Sequence, residues 1–425
     1  MKYFVLGLGE VSKAFLKLLK IENIIDFDNL FCIEKDKSRQ KEFMVCGGKP
    51  NNFIGAYLEK NNFHSLLKNV KKDDFLLDFT DSINTQELLI YCIKNNIHYL
   101  STADSFWPNE EEDFYKSYLK YKKIKQKYCG CSSCLIEFGM NPGLVSIYAK
   151  KCIEKILLVN EFSKNLKKDL FEMYENNDFG NIARILKIKS VKCVDIDSQL
   201  TNLSLAKNTV YSFWNCNSFH KEATSYSLYL DYIEKNNLPI GVSSIKKNQY
   251  RAIDFEESTV LNGKITYGYV MTHEEVFTLG DLFCLKEKNR IVYRPAVKFI
   301  YKPSDISIES IKCSDDNHKN IILLRNNIIS GGEYVGISID VDNVGQFSYG
   351  NYCDSPSIDC SPTIFQVAVS CLAGFKYLIK NKKMGLLFPE DLDTNTILSF
   401  TDKYLPSKFN DDKKQSIHMT NSINC

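Results

Sequence analysis

The chain has 425 residues, of which 44% are apolar and 25% charged, and its 54 basic and 52 acidic side chains leave a formal charge of +2. That composition belongs to a globular protein of two or three domains with a large core. It offers no basic excess to neutralise phosphates, which argues against a nucleic-acid partner.

The first predicted element is a short apolar strand over residues 2–6 (KYFVL), followed by a glycine-containing turn and a helical pattern over Lys13–Lys20. Leu30–Ile33 reads as a second strand and Asp74–Thr80 (DFLLDFT) as a third. A helix over Gln86–Asn95, a strand over His98–Thr102 and a charged, solvated helix over Glu110–Gln126 come next, then a strand over Leu135–Phe138 that ends in GMNPG. Strands alternating with helices imply an α/β fold, here an N-terminal Rossmann domain with a doubly wound parallel sheet.

From about residue 145 the pattern changes. A helix over Ser146–Lys155 leads into strand-like runs at Ile265–Thr272, Val297–Tyr301, Asn320–Leu324 and Val335–Ile339. They point to a second, α+β domain. The expected boundaries are 1–145 for the dinucleotide domain, joined by a buried helix at about 362–380. Residues 146–361 form the second domain, and 381–425 a C-terminal segment whose last residues, 407–425, are polar and frayed.

The start, MKYFVLGLGEV, lacks the cationic, apolar and small-residue regions of a signal peptide. No apolar run approaches the ~20 residues of a membrane span. With 15 cysteines in no secreted-type framework, the expectation is a cytoplasmic protein with reduced thiols and no membrane partner. Cys129, Cys131 and Cys134 lack a His or a second CxxC to complete a zinc site, so no metal is expected there.

The turn Gly7-Leu8-Gly9-Glu10-Val11-Ser12 fits the dinucleotide fingerprint, with a small Ser at the third position. Gly7 allows the tight turn, and Gly9 lets the backbone approach a pyrophosphate seated on the helix N-terminus. Glu34, 25 residues past Gly9, is placed to accept hydrogen bonds from the adenosine ribose and to repel a 2′-phosphate, so NAD is expected over NADP. Lys35, Lys37 and Arg39 follow and pull the other way.

Asp78, Thr80 and Asp81 follow one parallel strand, and Thr102, Asp104 and Trp107 another, at the ends that face a ligand crevice in such sheets. Asp81 also suits the N-cap of the next helix. Asn141 sits in the rigid GMNPG turn and presents both a donor and an acceptor. In the second domain Trp214 precedes His220-Lys221-Glu222, Glu234 follows, and His273-Glu274-Glu275 ends an apolar strand. A His beside two carboxylates suits proton transfer near neutral pH. The triplet is not HExxH, so zinc is not proposed.

Taken together, GLGxxS, YLSTAD…W, GMNPGLVS, GYVMTHEE, YRPAVKFIYKP, SGGEYVG and TIFQVAVSCLAG, in this order over roughly residues 3 to 400, resemble the bacterial homospermidine synthases of the saccharopine-dehydrogenase-like superfamily. The resemblance implies a homodimeric enzyme that joins two putrescine molecules and releases ammonia, and it adds substrate binding and dimerisation to the second domain. NAD would be held as an internal hydride relay. It also implies Glu222, His273, Asn141 and Glu234 as catalytic residues, with Asp81, Asp104, Trp107 and Trp214 lining the diamine.

Two departures stand out. Where the family carries Trp-Gly-Thr-His-Glu, this chain has Leu230-Asp231-Tyr232-Ile233-Glu234, so an aromatic face must come from Tyr229, Tyr232 or Trp214, or be absent. Asp104-Ser105 stands where the family has Glu-Pro. Two other readings stay open. One is a carboxyspermidine or saccharopine-type reductase, with Arg251 or Arg294 holding a substrate carboxylate. The other is a non-catalytic NAD sensor.

Overall fold

The computed structural model describes every residue except 111–112, 129, 131, 240–244, 262, 289, 314–319, 325–326 and 412–425; of 235–239 only the backbone is described. The chain divides into two units: Met1–Leu144 with Pro356–Leu405, and Val145–Ser355 with Pro406–Cys425.

In the first unit the short apolar runs become strands β1 (Tyr3–Leu6), β2 (Leu30–Glu34), β3 (Phe53–Gly55), β4 (Phe75–Asp78), β5 (His98–Ser101) and β6 (Cys134–Leu135). With Leu386–Leu387 they form a seven-stranded sheet in the order 386–387, β6, β5, β4, β1, β2, β3. Every pairing in it is parallel. β1, β4 and β5 are buried along their whole length, as expected of strands covered on both faces. The doubly wound sheet expected from the alternating pattern is present. Its two short outer strands, β3 and Leu386–Leu387, are too brief to leave a periodic signal.

Helix boundaries follow local chemistry. The helix Thr85–Lys94 is capped by Asn84, whose side chain accepts the Glu87 amide at 3.0 Å; the expected cap, Asp81, is exposed and lies before it. Ser361 caps Pro362–Lys380, with Pro at the first turn, where its missing N–H costs nothing. This helix has 19 residues and a mean hydropathy of 1.4, long and apolar enough to cross a membrane by composition, yet 83% of its apolar window is buried. It packs on Glu10–Ile21 as the core helix of this unit. Glu22 accepts from Lys376, Lys403 and Tyr404. Burial works against its charge, but these donors win and hold its pKa down to about 2.

The second unit is built on a nine-stranded mixed sheet. At its centre Ile188–Asp197 pairs parallel with Ala296–Lys302 and antiparallel with Glu333–Val341. Lys264–Met271 pairs with Ala296–Lys302 at Tyr269–Tyr301 through Met271–Phe299. Gly345–Cys353 extends the other side, and Ser407–Asp411 adds an outermost strand to it. The tail residues 407–411, read from their polarity as frayed, are therefore in a strand. An edge strand needs only one buried face, so its polar residues are no obstacle. Residues 412–425 of that segment lie outside the described residues.

Candidate active site

In the first unit the glycine turn closes β1 onto the helix Glu10–Ile21. Gly7 has φ +78°, and a side chain there would press on Thr80 at 3.1 Å. At Gly9, by contrast, an added Cβ would meet nothing within 4 Å. Gly9 is also the N-cap of the helix and supplies no side-chain cap, so the N-terminal amides around Glu10, Val11 and Ser12 face room for an anion. Ser12 is fully buried and donates to the Gly9 carbonyl at 3.0 Å. These residues fit a dinucleotide pyrophosphate.

Glu34 is buried, and its two oxygens accept the amides of Leu8 at 2.7 Å and Asp36 at 2.9 Å. It braces the turn, a role that its spacing alone did not disclose.

Asp78 and Thr80 are not brought together as ligands. One Asp78 oxygen accepts the Thr80 amide and hydroxyl, at 3.0 and 2.6 Å, and the other accepts Tyr99 at 2.7 Å. Burial pushes the Asp78 pKa up against these bonds. Asp104 is buried and accepts the Tyr121 hydroxyl at 2.5 Å, tying the loop after β5 to the helix Phe114–Lys127. Trp107 is a core residue packed near Phe63, with ring centroids 6.0 Å apart. It offers no open face to a substrate. Thr102 is half-buried just past β5.

Asn141 is half-buried in a closed turn. Gly139 donates to the Pro142 carbonyl at 2.7 Å and Leu144 to the Gly139 carbonyl at 3.0 Å. Gly143, at φ +130°, passes so near Gly139 that a Cβ would lie 2.3 Å from its oxygen. Cys134 is buried in β6; Cys129 and Cys131 of the cysteine cluster lie outside the described residues.

The second unit gathers a group of carboxylates around one imidazole. His273 follows the strand Lys264–Met271 and pairs through Nδ1 with Glu275, and with Glu274 at 3.1 Å. Its ring lies over Phe299, centroids 4.3 Å apart. Burial disfavours the imidazolium, but Glu275 and Glu274 outweigh it and raise the pKa to about 10. The donor atoms of the three residues lie within 4.8 Å of one another, close enough to hold a metal ion. The charge pairing accounts for that closeness without one.

Glu222, in the last turn of the helix Cys216–Thr224, couples to the same group. Burial raises its pKa to about 8; His273 opposes the shift, while Glu274, Glu275 and Asp195 reinforce it.

Strand register extends this acidic surface. Asp195 lies opposite Tyr301 and Val335, Asp197 opposite Glu333, and Phe299 opposite Cys193 and Met271. Facing residues in paired strands share a face, so Asp195, Asp197, Glu333, Tyr301 and Phe299 lie on one side of the sheet. Burial, with Asp195 adding to it against the Gln199 bonds, lifts the Asp197 pKa to about 7. Trp214 donates its indole N–H to the Tyr301 hydroxyl at 3.2 Å and packs near Phe219. Of the aromatic residues considered from sequence, half-buried Trp214 is the one tied to this face, through Tyr301, while Tyr301 and Phe299 are themselves buried.

Glu234 is a different case. It is exposed on a separate three-stranded sheet, where it accepts from Tyr232 at 2.7 Å. Tyr232 in turn accepts from Lys189 at 3.1 Å. The resemblance implies a catalytic Glu234, and the structure does not bring it together with His273. The two arginines proposed for a substrate carboxylate are also occupied. Arg251 pairs with Asp254 at 2.9 Å on the surface, and buried Arg294 donates to the Asp231 carbonyl at 3.1 Å.

Sequence reasoning missed Asp195, Asp197, Glu333, Phe299 and Tyr301. One signal was available: two acids at i and i+2 in the otherwise apolar run around Val191–Asp197 must point to one face.

The fold and the glycine turn of the first unit are those of a dinucleotide-binding domain, and residues 3–130 match the family described as the saccharopine dehydrogenase NADP binding domain. Over nearly its whole length the chain resembles homospermidine synthases in particular. It is 20% identical to the homospermidine synthase of Mesorhizobium japonicum over 94% of this chain and 88% of that protein. With the enzyme of Blastochloris viridis it shares 18% identity over 94% and 89%. The fold matches the crystal structure of the Legionella pneumophila homospermidine synthase in complex with NAD, with a TM-score of 0.82 at 20% identity over 96% of this chain and 91% of that one. Saccharopine dehydrogenase (L-Glu forming) from Saccharomyces cerevisiae shares the fold more distantly, with a TM-score of 0.56 at 12% identity.

Proposed function

We propose that this chain is a homospermidine synthase that joins two putrescine molecules into homospermidine and releases ammonia. The observation that carries the reading is the acidic face around His273. Glu222, Glu274, Glu275, Asp195, Asp197 and Glu333 face a surface that also holds Trp214, Tyr301 and Phe299. A diamine brings two ammonium charges and an apolar four-carbon spacer. Buried carboxylates attract the charges, and aromatic faces suit both the spacer and the cation.

NAD, when bound, supplies a hydride acceptor for the first diamine and the hydride donor for the new imine, with no net redox change. The chain's own part begins with a proton. An ammonium must lose one before its carbon can give up hydride. Glu222, lifted to about 8, takes that proton when ionised, at and above about that pH. Glu275 and Glu274 hold His273 as an imidazolium, which offsets part of the acidic group's charge and can return a proton to a departing amine. The open backbone at Gly9 suits the pyrophosphate of either dinucleotide, and the carboxylate of Glu34 suits NAD over NADP. Asn141, in its closed turn, is the candidate to orient the nicotinamide.

Arg251 pairs with Asp254 on the surface, and Arg294 gives one donor to the Asp231 main-chain carbonyl. A carboxyspermidine or saccharopine-type reductase is the second reading, and a carboxylated amine substrate tests it. The family resemblance and the cysteine usage support a cytoplasmic homodimer, which sedimentation and cell fractionation test.

The test of the activity is incubation of the purified protein with putrescine and NAD, followed by amine chromatography. Homospermidine and ammonia in equal amounts, without accumulating NADH, are expected. Untouched putrescine with tight NAD binding would mark the protein as a sensor instead.

A further inference from the structure

We propose that Arg39 is a positioning residue for the dinucleotide, acting through the main chain of the glycine turn; the inference rests on the proposed NAD site.

Two consecutive peptide groups of the turn are held from the loop that follows β2. The Leu8 amide donates to Glu34 Oε2 at 2.7 Å. The Leu8 carbonyl accepts from Arg39 Nη1, also at 2.7 Å. The same loop is held together by its own bonds: Glu34 Oε1 accepts the Asp36 amide at 2.9 Å, and Asp36 caps the single turn Lys37–Arg39 through the Ser38 amide at 2.9 Å. Arg39 Nε lies 3.6 Å from Asp36.

A peptide group is planar and trans, so its N–H points opposite to its C=O. By drawing the Leu8 carbonyl toward itself, Arg39 turns the Gly9 N–H the other way. Gly9 is the position where the missing side chain leaves open space, ahead of the helix Glu10–Ile21. A charge-assisted bond from a guanidinium holds a carbonyl more firmly than a neutral donor would. Arg39 therefore sets the direction of an amide in the pyrophosphate cradle. Its Nη1 is spent on the turn, so the residue that looked in sequence like a 2′-phosphate ligand serves the phosphates shared by both dinucleotides.

The test compares the wild type with Arg39→Met and Arg39→Lys as full chains, by calorimetric titration with NAD, ADP and adenosine and by thermal melting without nucleotide. Arg39→Met should weaken NAD and ADP about tenfold or more, leave adenosine binding unchanged, and melt at the wild-type temperature. Arg39→Lys, which keeps a charged donor, should recover part of the loss. Equal weakening of adenosine, unchanged NAD affinity, or a loss that tracks a lowered melting temperature would each overturn the role. If the wild type itself fails to bind NAD, the cofactor reading falls and takes this inference with it; a wild type that binds beside an equally tight Arg39→Met variant removes Arg39 alone.

Discussion

Both units bury carboxylates, and they treat them in opposite ways. In the first unit four buried or half-buried acids are each met by at least one donor. Asp78 accepts from Thr80 and Tyr99, Glu34 from two backbone amides, Asp104 from Tyr121, and Glu22 from two lysines and a tyrosine. In the second unit the acids face one another. Glu222 feels Glu274, Glu275 and Asp195, and Asp197 feels Asp195. Burial alone therefore does not mark a functional acid. An acid satisfied by its own fold braces that fold, whereas acids that raise one another's pKa hold an unmet demand for positive charge, which a diammonium substrate supplies.

The largest expected effect separates the two classes directly. Glu222→Gln keeps size and burial but removes the base, so turnover of putrescine should fall by about 10²–10⁴-fold while NAD affinity stays at the wild-type value. Product chromatography and calorimetry check the two halves. Normal turnover would take Glu222 out of the site.

The pH profile sharpens the same comparison. Glu222 takes a proton only when ionised, so kcat should fall below about pH 8, by roughly tenfold per unit at the acid end. His273 is useful as an acid only while protonated, so a second fall is expected above about pH 10. Steady-state rates at saturating putrescine report this, and Glu222→Gln should lose the acid limb. His273 also links to stability. Its folded pKa is raised, so the stabilisation from Glu275 and Glu274 is complete below its unfolded value of 6.5 and disappears as pH rises through about 10.

The smallest effect belongs to the bracing acids. Asp78→Asn removes an acceptor from Tyr99 or Thr80 and should cost about 1–3 kcal/mol of stability. Thermal or urea unfolding measures this, and turnover per folded molecule should stay near the wild-type value. A large loss of turnover with unchanged stability would erase the distinction between the two units.

Much of the first unit was legible in the residues because its signals are local. The βα turn, the spacing from Gly9 to Glu34 and the alternation of strand and helix each span at most a few dozen residues. The positions were legible, but not every role. Glu34 also braces the turn, Asp104 and Trp107 turned inward, and Asn84 took the cap expected of Asp81, because which neighbour a polar group meets depends on packing from other elements. His273-Glu274-Glu275 was likewise visible as a triplet.

Sequence by itself determined the Rossmann sheet, the glycine cradle and the presence of a titratable His beside two acids, since backbone geometry, periodicity and adjacency act over short stretches. Only the tertiary structure decided which carboxylates gather around His273. Glu222 joined His273 and Glu234 did not; Asp195, Asp197 and Glu333 were brought to one face by pairing strands up to about 140 residues apart. Strand register is a non-local choice, made by burial across the whole sheet, so no short motif carries it.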